Sequence, residues 1–155
     1  MMRHARKLRW ILLFLPCTAF MMLGQPAWGA GDDVAPEGGQ PHRVVLHLNS
    51  GDEKVQRGAL NNIKNLYQEF SPETLRVELV VHGAGLPLLI KKGTLFAAEL
   101  TELRHAYGVS YIACSNTMKT MKVTREDLIG EVGDTVPAMA RLLERQEQGW
   151  VYIKP

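Results

Sequence analysis

Residues 75–87 read "LRVELVVHGAGLP". A short run rich in leucine and valine stops at a histidine, two glycines and a proline. Such a run is of strand length, and its mostly apolar character suits a strand buried on both faces of a parallel sheet. The neighbouring segments decide between that and a hairpin. Upstream, "RVVLHL" (43–48) is a second strand, and between the two lies a helical period. Val55, Ala59, Ile63, Leu66, Tyr67 and Phe70 fall on one face of that helix. Ser50 and Glu53 have capping-box spacing, which predicts a start just after Ser50, and Ser71-Pro72 stops it. Downstream, a helical region runs from about Leu86 to Tyr107, interrupted near Gly93, with Phe96, Leu100, Leu103 and Tyr107 in register. Gly108 ends it, and "VSYIA" (109–113) is the third strand. Strands joined by helices cannot be hairpins. They pair in parallel, with helices on both faces.

The rest of the chain is less regular. Thr124 to Asp127 reads as a short capped helix and "GEV" (130–132) as a brief fourth strand. Pro137 suits the first turn of a last helix with apolar Val136, Met139, Ala140 and Leu143, closed by Gly149. "WVYIK" (150–154) is the final strand. The expectation is one three-layer α/β/α domain with about five mostly parallel strands, spanning residues 42–155 without internal repeats.

Ahead of it, Arg3, Arg6, Lys7 and Arg9 form a cationic head, Trp10 to Leu23 is apolar, and Ala27-Trp28-Gly29 is a small-residue site. Residues 1–29 therefore read as a cleavable export signal, cut near Gly29, and 30–41 as a flexible leader. The apolar segment is shorter than the roughly 20 residues a membrane span needs. Pro16 stands where lipoprotein processing at Cys17 wants a small residue. The expected location is periplasmic, with no membrane attachment after cleavage. The whole chain has 18 Lys and Arg against 16 Asp and Glu; loss of the signal removes four cations and leaves 14 against 16. The basic balance belongs to the signal, so it gives no reason to expect nucleic-acid binding. Cleavage also removes Cys17, leaving Cys114 alone in an oxidising compartment with no internal disulfide partner.

Parallel sheets gather ligands beyond the carboxyl ends of their strands. Three loops should meet there: Asn49 to Asp52, His82 to Gly85, and Cys114 to Thr117. Cys114 sits at the exit of an apolar run, where helix N-terminal amides, His82 or Lys119 could favour its thiolate. A strand exit facing two other loops also makes it accessible. The plain alternative is a small apolar side chain sealing the strand end. His82 could hold the thiolate or bind an anion, or be a solvated loop residue. His47, one residue deeper, reads as a satisfied core histidine. Gly83 and Gly85 would let backbone amides approach an anion, although "GAG" lacks the third glycine of a dinucleotide fingerprint. Asn49, Ser50 and Asn116 complete the candidate binding set, with capping a sufficient reason for the first two. No Cys-x-x-Cys pair, nucleophile elbow or phosphate loop is present. His42 and His47 point to opposite sides of their strand, so no metal or cofactor is expected.

"VVLHLNSGD", "VELVVHGAGLPLL", "GVSYIACSNTMK" and "RLLERQEQGWVYIKP" together resemble the DsrE/DsrF-like family of small sulfur-handling proteins, over the whole of residues 42–155. The resemblance implies a flavodoxin-like fold and assembly into trimers or hexamers. It also implies that a cysteine just after the third strand carries sulfur as a persulfide, the position Cys114 occupies. The relay members work in the cytoplasm with dedicated acceptors, whereas this chain carries an export signal; no pathway is implied. The reading is a periplasmic sulfur carrier or sulfurtransferase-like protein with an unidentified donor or acceptor. The alternatives are an oligomeric module binding a small anion or a partner protein, with Cys114 only packing, and a thiol redox sensor. Self-association has a residue-level argument in the apolar run Leu86 to Ile90, which must lie inside the domain or at a subunit contact.

Overall fold

The structure is a computed structural model and describes residues 39–155. The expected signal and most of the leader lie outside the described residues. Five strands alternate with four α-helices: β1 (His42–Leu48), α1 (Glu53–Glu69), β2 (Leu75–Val81), α2 (Ala97–Tyr107), β3 (Ser110–Cys114), α3 (Ser115–Met121), β4 (Val132–Val136), α4 (Ala138–Glu147) and β5 (Val151–Ile153). A 3-10 helix, Gly83–Leu89, follows β2. All the strand pairs are parallel, in the order β4-β3-β2-β1-β5. β2 is the middle strand. Its stretch "LRVELVV" is buried at every position but Arg76, as a strand covered on both faces should be.

Side-chain alternation sorts the two faces. Val44, Leu46 and Leu48 of β1, with Leu75, Val77, Leu79 and Val81 of β2, meet Ala59, Leu60, Ile63 and Tyr67 of α1 and Leu100 and Leu103 of α2. The opposite face is smaller. Val45, Val80, Ile112 and Cys114 pack under Ala138 and Leu142 of α4. That face also holds a buried carboxylate, Glu78, bonded by Arg145 from α4.

Several local expectations shift. The N-cap of α1 is Asp52, whose carboxylate accepts from Lys54 N (2.8 Å) and Val55 N (3.1 Å), two of the helix's free amides. Ser50 instead accepts from Asp52 N (3.2 Å), so the capping-box start fails by two residues. The buried stripe accordingly turns to include Gln56 and Leu60, leaving Val55 and Phe70 at the surface. Leu86, Leu88 and Leu89 belong to the 3-10 helix and are buried in the main core, so the apolar run lies inside the domain and supplies no subunit contact.

Thr124 to Asp127 forms a turn, in which Asp127 Oδ2 accepts from Thr124 N (2.8 Å) and Thr124 Oγ1 (2.9 Å). The side chain closes the segment on itself, and no helix follows. The fourth strand is Val132–Val136 rather than 130–132. Gly133 and Asp134, poor strand formers, disguise it, and its ladder with β3 is irregular between Tyr111 and Ile112. The last helix buries Ala138 and Leu142, while Met139 and Leu143 stay more than half exposed. Residues after Cys114, expected as a loop, form α3. Its C-cap, Lys122, has φ 55°, the only positive φ outside glycine among the described residues.

Candidate functional site

Cys114 ends β3 and is the N-cap residue of α3. Its side chain lies on the α4 face, among Val80, Ile112 and Ala138. β4 leads directly into α4 beside it, and Ala138 N, at the start of that helix, donates to Cys114 Sγ at 3.4 Å. The first turn of α3 approaches from the other side, and Sγ accepts from the Thr117 hydroxyl and from the amides of Thr117 and Asn116. Burial pushes the thiol up, but these four donors outweigh it and hold Cys114 below the ordinary thiol value. Exposure departs from the expectation: Cys114 is only 5% exposed, not open to the loop edge.

Thr117 organises this corner and was not singled out from the sequence. Its Oγ1 accepts from Gly83 N (2.9 Å) while its hydroxyl bonds Cys114, so one side chain ties the β2 exit to the cysteine. Gly83 has φ 54°, which glycine adopts without steric cost. Its amide is occupied by Thr117, and the Gly85 amide is occupied by His82 O (3.0 Å). Gly85 is buried against β1, where a Cβ would stand 3.0 Å from Leu48 O. Asn116 is exposed and lines, with Gly83, Ala84, Thr117, Thr120 and Met121, a cavity of about 470 Å3. Asn49 is exposed and Ser50 half-buried, so these two border the edge without joining the hydrogen bonds of Cys114.

His82 does not turn to the cysteine. Its Nε2 lies 2.6 Å from His47 Nε2, and His47 Nδ1 lies 2.7 Å from Tyr152 OH. The two imidazoles stack at 4.7 Å between centroids. Burial lowers the pKa of both rings, with Lys154 adding to the effect at each and His82 adding at His47. Both are therefore neutral near pH 7. Lys119 is exposed and is not among the groups that shift Cys114. His47 is buried as expected of a core residue, but it is bonded to the site edge rather than to the core. The parity of β1, which puts His47 on the side of Val45, is visible in the sequence. The contribution of Tyr152 depends on β5 pairing with β1, Val45 against Tyr152, which the order of the elements does not reveal. Among the described residues, no group of three or more His, Cys, Asp or Glu is placed to hold a metal.

An open, all-parallel five-stranded α/β sheet with a hydrogen-bonded cysteine at a strand exit defines the class. The family model for the DsrE/DsrF-like family matches residues 44–155, and the chain belongs to that family. Among solved structures, it is similar to that of a protein of unknown function from Methanobacterium thermoautotrophicum. The two share 30% sequence identity over 74% of this chain and 99% of that one, with a TM-score of 0.68. Comparison with curated proteins gives no match.

Proposed function

We propose that the protein is a periplasmic sulfur carrier that holds sulfane sulfur as a persulfide on Cys114. The observation that supports this most directly is the set of four donors on Sγ, an arrangement that favours a thiolate in a largely buried position. Membership of a family associated with sulfur relay supports it independently. The Cys114 thiolate forms a bond to the sulfane sulfur of a donor. The donor's own bond to that sulfur breaks, and the departing group keeps the electron pair. The new outer sulfur then passes to a second nucleophile.

The burial of Sγ favours one rival, a binding module in which Cys114 only packs. Alkylation of the folded protein separates the two. A carrier's alkylation rate rises through an inflection below the ordinary thiol pKa, because a lowered pKa means the thiolate forms at lower pH. Thr117→Val, which removes one donor to sulfur, moves that inflection up. An inert thiol, or an inflection that the substitution leaves in place, sinks the carrier reading.

Export and self-association belong to the same proposal. With Leu86 to Ile90 inside the core, the exposed apolar pair Met139 and Leu143 on α4 is the surface that supports a homo-oligomer, a trimer or hexamer. Light scattering that returns a monomer at micromolar concentration removes it. N-terminal sequencing of periplasmic material is expected to begin near residue 30.

A further inference from the structure

The α4-side face of the sheet carries a row of polar side chains that the carrier reading leaves without a role. Val81 pairs with Ala113, so one residue further on His82 and Cys114 come side by side. Adjacent strands are about 4.8 Å apart. From His82 the row continues to His47 of β1 at 2.6 Å and Tyr152 of β5 at 2.7 Å. It crosses four strands and runs from a half-buried ring, through a buried one, to a phenol 40% exposed to solvent.

The hydrogen bonds of this row can run in either direction. If Tyr152 OH donates to His47 Nδ1, then His47 Nε2–H donates to His82 Nε2. If His82 Nε2–H donates to His47 Nε2, then His47 Nδ1–H donates to the Tyr152 oxygen. Switching from one arrangement to the other moves one proton along the row. Two neutral imidazoles are required for this, since two cationic rings would both be donors at the shared contact. The groups facing the pair are Tyr152 and Lys154 from the β5 end and Cys114 from β3, and the lysine charge favours the neutral rings. Among the described residues His82 Nδ1 has no hydrogen-bond partner, and Cys114 takes its donors from elsewhere. A nitrogen is thus free to face a group arriving at the cysteine.

We propose that His82, His47 and Tyr152 form a proton chain, with His82 as the base that deprotonates a thiol acceptor during sulfur transfer. This rests on the persulfide reading of Cys114. The acceptor R–SH gives its proton to His82 Nδ1 as its sulfur bonds to the outer sulfur of Cys114–S–SH. The Cys114 S–S bond breaks and its electron pair returns to Cys114 as thiolate, while R–S–SH departs. His82 passes its Nε2 proton to His47, His47 passes its Nδ1 proton to Tyr152, and Tyr152 releases one to water. One proton leaves and no oxidant or reductant is consumed. The acceptor class is therefore a thiol that is still protonated near neutral pH.

The test loads the protein with polysulfide and follows unloading to two acceptors, glutathione and sulfite. Sulfite attacks through sulfur and has no thiol proton to lose. His82→Gln is expected to lower the ratio of glutathione to sulfite transfer about 100-fold at pH 7, the ordinary weight of a positioned base. The deficit closes as pH rises and glutathione ionises unaided. Tyr152→Phe, at the far end of the row, is expected to lower the same ratio. Equal slowing with both acceptors means a structural role and overturns the proposal, as does an unchanged ratio in His82→Gln. A ratio changed by His82→Gln but not by Tyr152→Phe overturns the chain and leaves His82 a solitary base. Wild-type protein that takes up no sulfur overturns the carrier reading together with the chain, whereas loading followed by an unaltered ratio overturns the chain alone.

Discussion

Cys114→Ser protein exposed to polysulfide is expected to keep its mass, while the wild type gains sulfur that reductant removes. The whole effect depends on one atom, because Cys114 is the cysteine that remains once residues 1–29 are gone. A serine hydroxyl at the same place has the same donors around it, yet it is far too weak an acid to ionise near neutral pH, and oxygen forms no persulfide. The fold should survive. Serine is close in shape to cysteine, and the amide of Ala138 and the hydroxyl of Thr117 offer a hydroxyl ready partners. A buried hydroxyl that keeps its hydrogen bonds costs little, roughly 1 kcal/mol or less. Intact-mass analysis reads the chemistry, and thermal unfolding of the same samples reads the fold. Sulfur uptake by the serine variant, or equal inertness in both proteins, would show that Cys114 is not the carrier.

How far the site could be read in advance depended on the range of the interactions that build it. Cys114 stood out because an apolar run ends there, and strand endings are local. The same local reading took Ser115 to Thr117 for a loop. A seven-residue helix carries too short a period to register, and "SNTMKTM" has one buried side chain, Met118. Thr117 acts through Gly83, 34 residues away, and the pairing of His47 with Tyr152 spans 105 residues. Neither leaves a pattern in its own segment. The parallel sheet was legible for the opposite reason. Alternation of strands and helices repeats along the chain and depends on composition at many positions. Its failures fell where composition misleads, as in β4, where Gly133 and Asp134 interrupt a strand held mainly by its ladder to β3. The capping rule failed at Ser50 for a related reason. Asp52 is an equally good cap two residues on, and Gln56 Nε2, donating to Ser50 O at 3.1 Å, helps hold the segment before it.

Glu78→Gln is expected to produce the largest loss of stability of any conservative change on the α4 face. Glu78 is 2% exposed in the middle strand, beneath two arginines of α4. Arg145 holds it bidentately, Nε to Oε1 at 3.1 Å and Nη2 to Oε2 at 2.7 Å. Arg141 Nε stands 3.1 Å from Oε1, an ion-pair contact without hydrogen-bond alignment. Glutamine has the same shape but no charge and, at one terminus, donors where the arginines also present donors. The substitution therefore leaves two guanidinium groups crowded over a neutral amide. Breaking a buried pair from one side costs about 3–5 kcal/mol. The arginine side chains keep 18–20% of their exposure, so water screens part of the repulsion and the lower end, about 3 kcal/mol, applies. Against a total stability of roughly 5–15 kcal/mol for a domain, that is a large share. Arg141→Met should cost less, because the bidentate pair with Arg145 survives and Arg141 has a second carboxylate, Asp134, at 3.3 Å. Urea unfolding of both variants measures the difference. A Glu78→Gln loss under about 1 kcal/mol, or an Arg141→Met loss that matches it, would mean that α4 is held by Ala138 and Leu142 rather than by the ion pair.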